Sequence, residues 1–288
     1  MGDQAYRSRE QKLGKNNLFS AVNAFGKSDL ETVWDLLQAD SNPLLNDLLA
    51  RSGGGKVASE IHFSMALSLL LSEKLLLEKE ESLYLYRFLQ ELYAVHPHLS
   101  RAACSDLMAL YDRNPAVRDY GTAFLEFKGY HALQCYRVAH ILWEEKRETA
   151  ARFFQSLISE RWNIDIHPAA VLGERLIFDH GTGIVIGETT IIEEDVVLFQ
   201  GVTLGGTGKE SGKRHPTVRQ GAIIGPGSKI LGAIEIGQGA KVGGGSVVVK
   251  NVPAFTCVFG NPAQVVGRHT HLPALTFDQS LPAIDYIL

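Results

Sequence analysis

Residues 184–205 read IVIGETTIIEEDVVLFQGVTLG, and they decide the fold because their hydrophobic period is six. The first run of aliphatic residues at this spacing is Ile186, Ile192, Leu198 and Leu204. A second run has the same spacing, at Ile224, Ile230, Ile236, Val242 and Val248. Four positions after the aliphatic residues stand small or β-branched ones: Thr190, Val196, Val202, Ser228, Ala240, Ser246 and Val252. This spacing fits neither an amphipathic helix nor a half-buried strand.

A period of six predicts a solenoid with three short, flat sides. Each hexad forms one strand and one corner, three hexads complete a coil, and the aliphatic residues stack inside the prism. Corners need a small side chain or a positive φ, which glycine supplies. Glycine follows the aliphatic residue at Gly187, Gly205, Gly225, Gly237 and Gly243. A β-sandwich with ordinary alternation would not hold so many aliphatic residues in one register, so we predict a parallel β-helix.

The chain before residue 162 has a helical pattern instead. Ser28 and Glu31 match a capping box, and the apolar residues that follow keep helical spacing until Pro43, where we expect the run to end. Further helical runs cover residues 58–77, 81–93, 100–111 and 124–145. We therefore predict an α+β chain with four segments: a mobile N-terminal tail over 1–26, an all-α domain over 27–160, a parallel β-helix over 161–267 and a C-terminal tail over 268–288.

Composition excludes several function classes. Lys and Arg total 28 against 32 Asp and Glu, a formal net charge of −4, so we expect no nucleic-acid partner. The start of the chain is polar, and no apolar stretch approaches the roughly 20 residues of a membrane span, so we expect a cytoplasmic protein without a membrane partner. Cys104, Cys135 and Cys257 are scattered and lack a CxxC spacing, which favours buried structural thiols over catalysis or metal binding.

Residues 205–216 (GGTGKESGKRHP) interrupt the hexads with a polar, glycine-rich insertion that we call the excursion loop. It resembles a phosphate-binding loop, but the pattern GxxxxGK[ST] would need Gly at Thr203 and Ser or Thr at Glu210. We therefore expect the loop to leave the prism and to bind no nucleoside triphosphate.

Three histidines lie in the β-helix half before the C-terminal tail, at positions 167, 180 and 215, although histidine is rare among stacked aliphatic residues. Acyl transfer to an alcohol needs a base near neutral pH, and imidazole is well suited to this. We interpret His180 as that base and Asp165, about one coil earlier, as the carboxylate that orients its ring. The adjacent Asp179 is expected to point to the opposite face of its strand. A pair of Asp and His can also be a coincidence of the surface.

The remaining polar groups suit a small zwitterion. Arg214 is a candidate for clamping a carboxylate, and Asp179 for meeting an ammonium group. His215 is a candidate for hydrogen-bonding the reacting hydroxyl or the oxyanion. Together these groups predict a site for an amino acid that carries a hydroxyl.

The stretch from about residue 112 to 267 closely resembles bacterial and plant serine acetyltransferases. The shared segments are RNPAV at 113–117, KGYHALQCYR at 128–137, DIHPAA at 165–170, DHGTGIVIGET at 179–189, VTLGGTGK at 202–209 and RHP at 214–216, followed by GSKILGAIEIG and GGGSVVV. The resemblance implies left-handed winding and direct attack of L-serine on acetyl-CoA, a co-substrate, with no prosthetic group. It also implies a role in cysteine biosynthesis and sites between the subunits of a homotrimer, with two trimers joined through the helical domains.

The resemblance places the catalytic roles on His180, Asp165 and His215, and substrate contacts on Asp179 and Arg214. It places acetyl-CoA near Gly206, Thr207, Gly225, Lys241 and Gly244, with Lys241 close to a nucleotide phosphate.

Three positions depart from the family pattern. Asn114 replaces the usual Asp that helps to bind the substrate amine, although Asp112 is close by, and Pro226 stands where Ala is frequent. Many relatives end in an isoleucine that enters the active site of O-acetylserine sulfhydrylase, whereas this chain ends in Leu288. The resemblance therefore implies weaker docking of that partner.

Three other functions stay open on the sequence. The first is a hexapeptide acyltransferase for another acceptor, such as homoserine, a sugar amine or an antibiotic. The second is a prism-shaped carbonic anhydrase, which binds zinc through three histidines across subunits. The third is a non-catalytic regulatory homologue.

Overall fold

The structure, a computed structural model, describes residues 28–52, 59–208 and 211–282. Its contacts divide the chain into two compact units, Met1–Glu126 and Phe127–Leu288. The predicted tail over 1–26 lies outside the described residues. The change of pattern near residue 162 coincides with the end of a helix at Trp162.

The described part of the first unit is helical. Its elements are α1 (Asp29–Gln38), α2 (Pro43–Arg51), α3 (Ser59–Leu75), α4 (Lys79–Val95), α5 (His98–Arg113) and α6 (Tyr120–Glu126). Fully buried side chains from several of these helices form the core, among them Leu37, Phe63, Leu67, Leu89 and Phe124. The predicted all-α character of this region is confirmed.

The capping box is confirmed, but the expected role of Pro43 is wrong. The N–H of Glu31 donates to Ser28 Oγ, and the N–H of Ser28 donates to the Glu31 carboxylate. The helix already ends at Gln38, and Pro43 is the first residue of α2, where its missing N–H would have had no intrahelical partner. The Asn42 side chain caps α2.

The predicted helical run over 124–145 is two helices. They are α6 and α7 (Lys128–Glu144), and Phe127 between them has an extended backbone conformation. A further helix, α8 (Glu148–Trp162), precedes the first strand. Both α7 and α8 belong to the second compact unit.

The rest of the second unit is a parallel β-solenoid with three sheets. Its strands are β1 (Asp165–Ile166), β2 (Val171–Leu172), β3 (Ile177–Asp179), β4 (Val185–Ile186), β5 (Ile191–Ile192), β6 (Val197–Phe199), β7 (Thr203–Gly205), β8 (Thr217–Val218), β9 (Ile223–Ile224), β10 (Lys229–Leu231), β11 (Glu235–Ile236), β12 (Lys241–Val242), β13 (Val247–Val248), β14 (Thr256–Gly260) and β15 (Ala263–Arg268). One sheet contains β1-β4-β7-β10-β13, the second β11-β8-β5-β2, and the third β15-β14-β12-β9-β6-β3. The predicted parallel β-helix is confirmed, and its left-handed winding stays a prediction.

The hexad residues stack inside the prism as predicted. In the five-stranded sheet one buried ladder runs through successive coils: Ile166, Ile186, Leu204, Ile230 and Val248. The small positions are also buried, including Thr190, Ser228 and Ser246. Burial of one aliphatic ladder per side therefore holds the coils together.

Insertions break the hexad register at two corners. Phe178 and Ile186 are both stacked core residues, but eight positions separate them instead of six, so the corner after β3 holds two extra residues. A larger insertion, the excursion loop, separates Leu204 from Val218. The first corner contains His180 and the second contains His215.

Helix α7 binds the first coil through the residues of the KGYHALQCYR segment and its continuation. Tyr136 Oη donates to the carbonyl of Ala170, Arg137 Nη2 to that of Gly173 at 2.8 Å, and His140 Nδ1 lies 2.7 Å from the oxygen of Pro168. Because the first coil has no coil before it, these side chains satisfy carbonyl groups at the open end of the solenoid.

The C-terminal end of the solenoid departs from the hexad pattern. Strand β15 pairs with β14 in antiparallel register, and a short helix, α9 (Pro273–Thr276), follows. The Phe277 ring lies 5.7 Å from that of Phe199, centroid to centroid, so the described part of the predicted C-terminal tail packs on the coils.

Candidate active site

His180 occupies the corner where the chain passes from β3 into the five-stranded sheet. It has a positive φ of 56°, and its side chain is 73% exposed. The N–H of Gly183 donates to the carbonyl of Asn163 at 2.6 Å, which closes this corner against the end of α8. The two extra residues thus hold the imidazole outside the packed core. We call this side of the sheet the His180 edge.

Two carboxylates lie at the His180 edge. Asp179 Oδ2 is 3.8 Å from His180 Nε2, too long for a hydrogen bond. Asp165 begins β1, where its N–H donates to the carbonyl of Ile184, so its backbone runs beside the His180 corner. Its carboxylate accepts a hydrogen bond from Gln155 Nε2 at 2.7 Å. The structure therefore brings Asp165 and Asp179 to the same edge as His180.

Arg214 and His215 lie at the opposite edge of the same sheet, where the chain leaves it through residues 187–190 and 206–216. We call this side the Arg214 edge. Arg214 Nη2 donates to the carboxylate of Glu188, which lowers the pKa of Glu188. His215 is only 8% exposed. The N–H of Thr189 donates to His215 Nδ1 at 3.1 Å, and Thr189 Oγ1 lies 2.9 Å from the same nitrogen.

Histidines at the Arg214 edge favour the neutral form. Burial, helped by the positive charge of Arg214, lowers the pKa of His215. Burial also lowers the pKa of His167, whose Nδ1 accepts from the N–H of Ala169 at 3.1 Å. Both rings are therefore suited to donate from Nε2 near neutral pH.

The predicted catalytic groups thus form two sets within one chain. His180, Asp165 and Asp179 stand where the strands of the five-stranded sheet begin, and Arg214 and His215 stand where they end. From Ile184 to Gly187 the strand spans roughly 10 Å. The chain therefore presents the two sets at opposite edges of one side of the prism.

The residues predicted to bind the coenzyme divide in the same way. Gly225 directly follows β9 and Gly244 lies two residues after β12, at corners in the same stack as the His180 corner. These corners are joined by bonds from Gly227 N–H to the carbonyl of Gln200 and from Gly245 N–H to that of Pro226. At the other edge, Gly206 and Thr207 follow β7.

Lys241 has an intramolecular partner. Its side chain is 5% exposed, and its Nζ donates to Asp278 Oδ2 and, at 3.0 Å, to the carbonyl of Ser280. Bonds from Lys241 and Ser280 hold the pKa of Asp278 well below its ordinary value, although burial opposes the shift. In this structure the lysine predicted to meet a phosphate thus binds the C-terminal segment.

The two remaining predicted substrate residues lie in the first compact unit. Asn114 directly follows α5 and is 2% exposed, and its Oδ1 accepts from the N–H of Ala116 at 2.9 Å. Asp112 is exposed near the end of the same helix. The Asn114 side chain therefore shapes the turn around Pro115.

Sequence reasoning missed Glu188 and Thr189, which hold Arg214 and His215. Both belong to the quoted segment DHGTGIVIGET, but neither residue type by itself indicates a site. The signal that could have found them is their place at the corner one coil before the excursion loop, because consecutive coils stack corner on corner.

The cysteines match their predicted structural character. Cys104, Cys135 and Cys257 are buried free thiols, and burial raises the pKa of all three, to about 12 for Cys104.

Among the described residues, no three His, Cys, Asp or Glu side chains converge as metal ligands. No helix in the described ranges has the length and apolar character needed to cross a bilayer.

Comparison with known proteins links both halves of the chain to one family. A family model described as the N-terminal domain of serine acetyltransferase matches residues 33–135. The serine acetyltransferase of Escherichia coli K12 is 42% identical over 261 residues, covering 90% of this chain and 96% of the relative.

Solved structures agree. That of serine acetyltransferase from Vibrio cholerae superposes with a TM-score of 0.79 at 43% identity, covering 87% of this chain and 98% of the other. A serine acetyltransferase solved in complex with CoA gives a TM-score of 0.73 at 40% identity, with coverage of 82% and 99%. The soybean enzyme complexed with serine gives 0.75 at 40%, with coverage of 83% and 99%.

Proposed function

The chain belongs to the serine acetyltransferase family, and from this premise we propose that it transfers the acetyl group of acetyl-CoA to the hydroxyl of L-serine. The products are O-acetyl-L-serine and CoA. Identity of 42% over 90% of the chain, with serine and CoA complexes among its structural relatives, supports this substrate pair. Acetyl-CoA acts as a co-substrate, and the reaction supplies the first step of cysteine biosynthesis in the cytoplasm.

His180 acts as the general base. Its imidazole takes the hydroxyl proton while the serine oxygen bonds to the thioester carbonyl carbon, and the proton passes to the sulfur as the C–S bond breaks. No acyl-enzyme is formed. The exposed side chain at an inserted corner supports this role, because a ring inside the prism would not reach a substrate. Asp165, whose backbone lies beside the same corner, stabilises the imidazolium that forms.

The remaining groups, from both sets, bind the substrate and the developing charge. Arg214 binds the serine carboxylate in exchange for Glu188, and Asp179 binds the ammonium group. His215, with its lowered pKa, stays neutral and donates from Nε2 to the oxyanion. The roles of Asp112 and Asn114 in substrate binding stay predictions from the family resemblance.

The observation that carries the proposal is the position of the two sets at opposite edges of the five-stranded sheet. A ring of identical subunits repeats one interface that joins two different surfaces. In a homotrimer, the His180 edge of one protomer meets the Arg214 edge of the next, and one site is complete at each interface. Two such trimers join through the helical domains.

Acetyl-CoA lies in the groove between the same two edges. Gly225 and Gly244 line it on one protomer, and Gly206 and Thr207 on its neighbour. Lys241 binds a phosphate of the nucleotide once the C-terminal segment that carries Asp278 moves away. The chain end, residues 283–288, is outside the described range, and we propose that it docks weakly with O-acetylserine sulfhydrylase.

Release of free thiol from acetyl-CoA, measured with and without L-serine, tests the reaction. We expect serine-dependent release, and we expect His180→Ala to lower kcat by about two or more orders of magnitude. His98→Ala, which removes an exposed imidazole of the first unit, is the matched control and should keep wild-type kcat.

Two outcomes would contradict the proposal. Wild-type protein that ignores serine but acetylates homoserine or a sugar amine would show that the acceptor is wrong. Near-normal turnover by His180→Ala would show that His180 is not the general base.

A further inference from the structure

The hydroxyl of Thr189 is surrounded by donors from the end of the excursion loop. Its Oγ1 accepts from the backbone N–H of Arg214 at 3.0 Å and from that of His215 at 3.1 Å. Lys213 Nζ also donates to the carbonyl of Thr189 at 2.6 Å. One residue in the corner between β4 and β5 thus anchors three consecutive residues of the loop.

These bonds decide the direction of the contact between Thr189 and the His215 ring. A hydroxyl has two acceptor lone pairs and one proton. Both lone pairs of Thr189 Oγ1 receive a backbone N–H, so its own proton is left for His215 Nδ1 at 2.9 Å. The N–H of Thr189 points at the same nitrogen, 3.1 Å away. Nδ1 therefore receives hydrogen bonds, and the ring proton resides on Nε2.

The opposite nitrogen of the ring is left for a ligand. A Cβ added to Gly187 would lie only 2.1 Å from His215 Nε2, so the ring lies against a backbone that has no side chain there. Within the described ranges His215 Nε2 has no hydrogen-bond partner. The charged and titratable groups around the ring are Arg214, Lys213, Glu188 and His167, and the nearby cations oppose its protonation.

We propose that Thr189 is a positioning residue that fixes His215 as a neutral imidazole with its proton on Nε2, directed at the oxyanion. The inference rests on the proposed function for the identity of that oxygen. The position of the ring proton follows from the contacts of Thr189 and holds whatever the acceptor is.

Neutron diffraction on deuterium-exchanged crystals near neutral pH locates the ring proton directly. We expect a deuteron on Nε2 of His215 and none on Nδ1 in the wild-type protein. Steady-state kinetics then test the consequence. Thr189→Val should lower kcat roughly ten- to hundredfold because the donor is no longer held in line, while Thr189→Ser, which keeps the hydroxyl, should restore most of it.

Thr190→Val is the matched control. Its side chain is fully buried and its hydroxyl has no partner among the described residues, so the substitution makes the same change of shape without touching His215. It should keep wild-type kcat.

A deuteron on Nδ1 of wild-type His215 would overturn the inference, and so would wild-type kcat in Thr189→Val. An equal loss of kcat in Thr189→Ser and Thr189→Val would also overturn it, because the hydroxyl would then not be the group that positions His215. If Thr189→Val does not fold, the wild-type neutron map and the serine variant still decide. Wild-type protein that shows the Nε2 deuteron but no serine acetylation would refute the proposed function and leave the positioning role intact.

Discussion

At the scale of single residues, both histidines assigned to the chemistry lie where the hexad register is interrupted. His180 belongs to a corner with two extra residues and His215 to the end of the excursion loop. Uninterrupted hexads place their aliphatic side chains in the core and leave short corners of small residues. A polar ring can therefore project from the prism at the insertions without disturbing the stacked ladders.

The lowered pKa values of His167 and His215 predict a dependence of stability on pH. The folded protein resists protonation of these rings, whereas the unfolded chain binds protons at the ordinary pKa of 6.5. Stability should therefore be fully present above about pH 7 and should fall as the pH drops below 6.5. Thermal unfolding of the wild-type protein and of the double variant His167→Gln, His215→Gln, between about pH 7 and pH 5, measures this.

We expect the wild-type Tm to fall more steeply than that of the double variant over this range, because the variant lacks both titrating rings. His98→Gln serves as the control for the substitution itself, since it replaces an exposed histidine of the first unit. Parallel curves for the wild-type protein and the double variant would show that these rings do not resist protonation.

At the scale of elements, helix α7 gives a structural role to a segment that was identified only by family resemblance. Three polar side chains of α7 bind carbonyl groups of the first coil, so the segment KGYHALQCYR and the residues after it close the open end of the solenoid. The resemblance identified this segment, but its residue types do not show that its hydrogen bonds are structural.

Helix α7 packs closely on the first coil, so a single methyl group added at their contact should lower the free energy of unfolding substantially. A Cβ at Gly129 would lie 1.9 Å from the carbonyl oxygen of Phe178, which is backbone and has little freedom to move. Gly129→Ala should destabilise the second unit by about 2 kcal/mol or more, although alanine favours a helix by up to about 1 kcal/mol. Calorimetric unfolding measures the loss as a lower Tm.

Gly205→Ala is the control for the same chemical change. An added Cβ there would meet only the ends of two side chains, those of Leu231 and Thr203, at 3.2 and 3.3 Å, and these can shift. Gly205→Ala should lower the free energy of unfolding by under about 1 kcal/mol. An equal Tm for Gly129→Ala and the wild-type protein would mean that α7 does not pack this closely on the coil.

At the scale of the whole molecule, a complete site requires two copies of the chain under the proposed assembly. Large apolar side chains remain exposed on the first coils, with Val171 at 52%, Val185 at 39% and Ile191 at 37%, and this supports a partner on these faces. Assembly would cover this apolar surface at the same time as it joins the two edges.

Mixed oligomers test whether the site is shared. Co-expression of His180→Ala with Arg214→Ala, followed by purification through two different tags, should restore about a third of the wild-type activity per trimer, because one of the three interfaces in each mixed trimer combines two intact edges. His180→Ala with Asp165→Ala is the matched control and should stay inactive, since both changes affect the same edge. Equal inactivity of both mixtures would place the site within one chain.

The sequence alone determined the architecture of the solenoid, because a six-residue period has one compact solution and each aliphatic residue of the two runs enters the core independently of distant contacts. It also indicated the helical character of the first half and the residue types of the site, since Asp165, His180, Arg214 and His215 were expected from chemistry and spacing. The sequence did not determine the helix boundaries, as Pro43 shows, because proline is equally compatible with the end of one helix and the start of the next.

Only the tertiary structure decided which of these residues share an edge and which nitrogen of His215 carries the proton. Both depend on stacking between coils, which brings Thr189 and Glu188 against residues about 26 positions later. No local sequence pattern predicts such a contact, because the core residues stack in the same way whatever the length of the excursion loop. Likewise, only the structure shows that Lys241 is paired with Asp278, since the pairing needs the C-terminal segment to return to the prism.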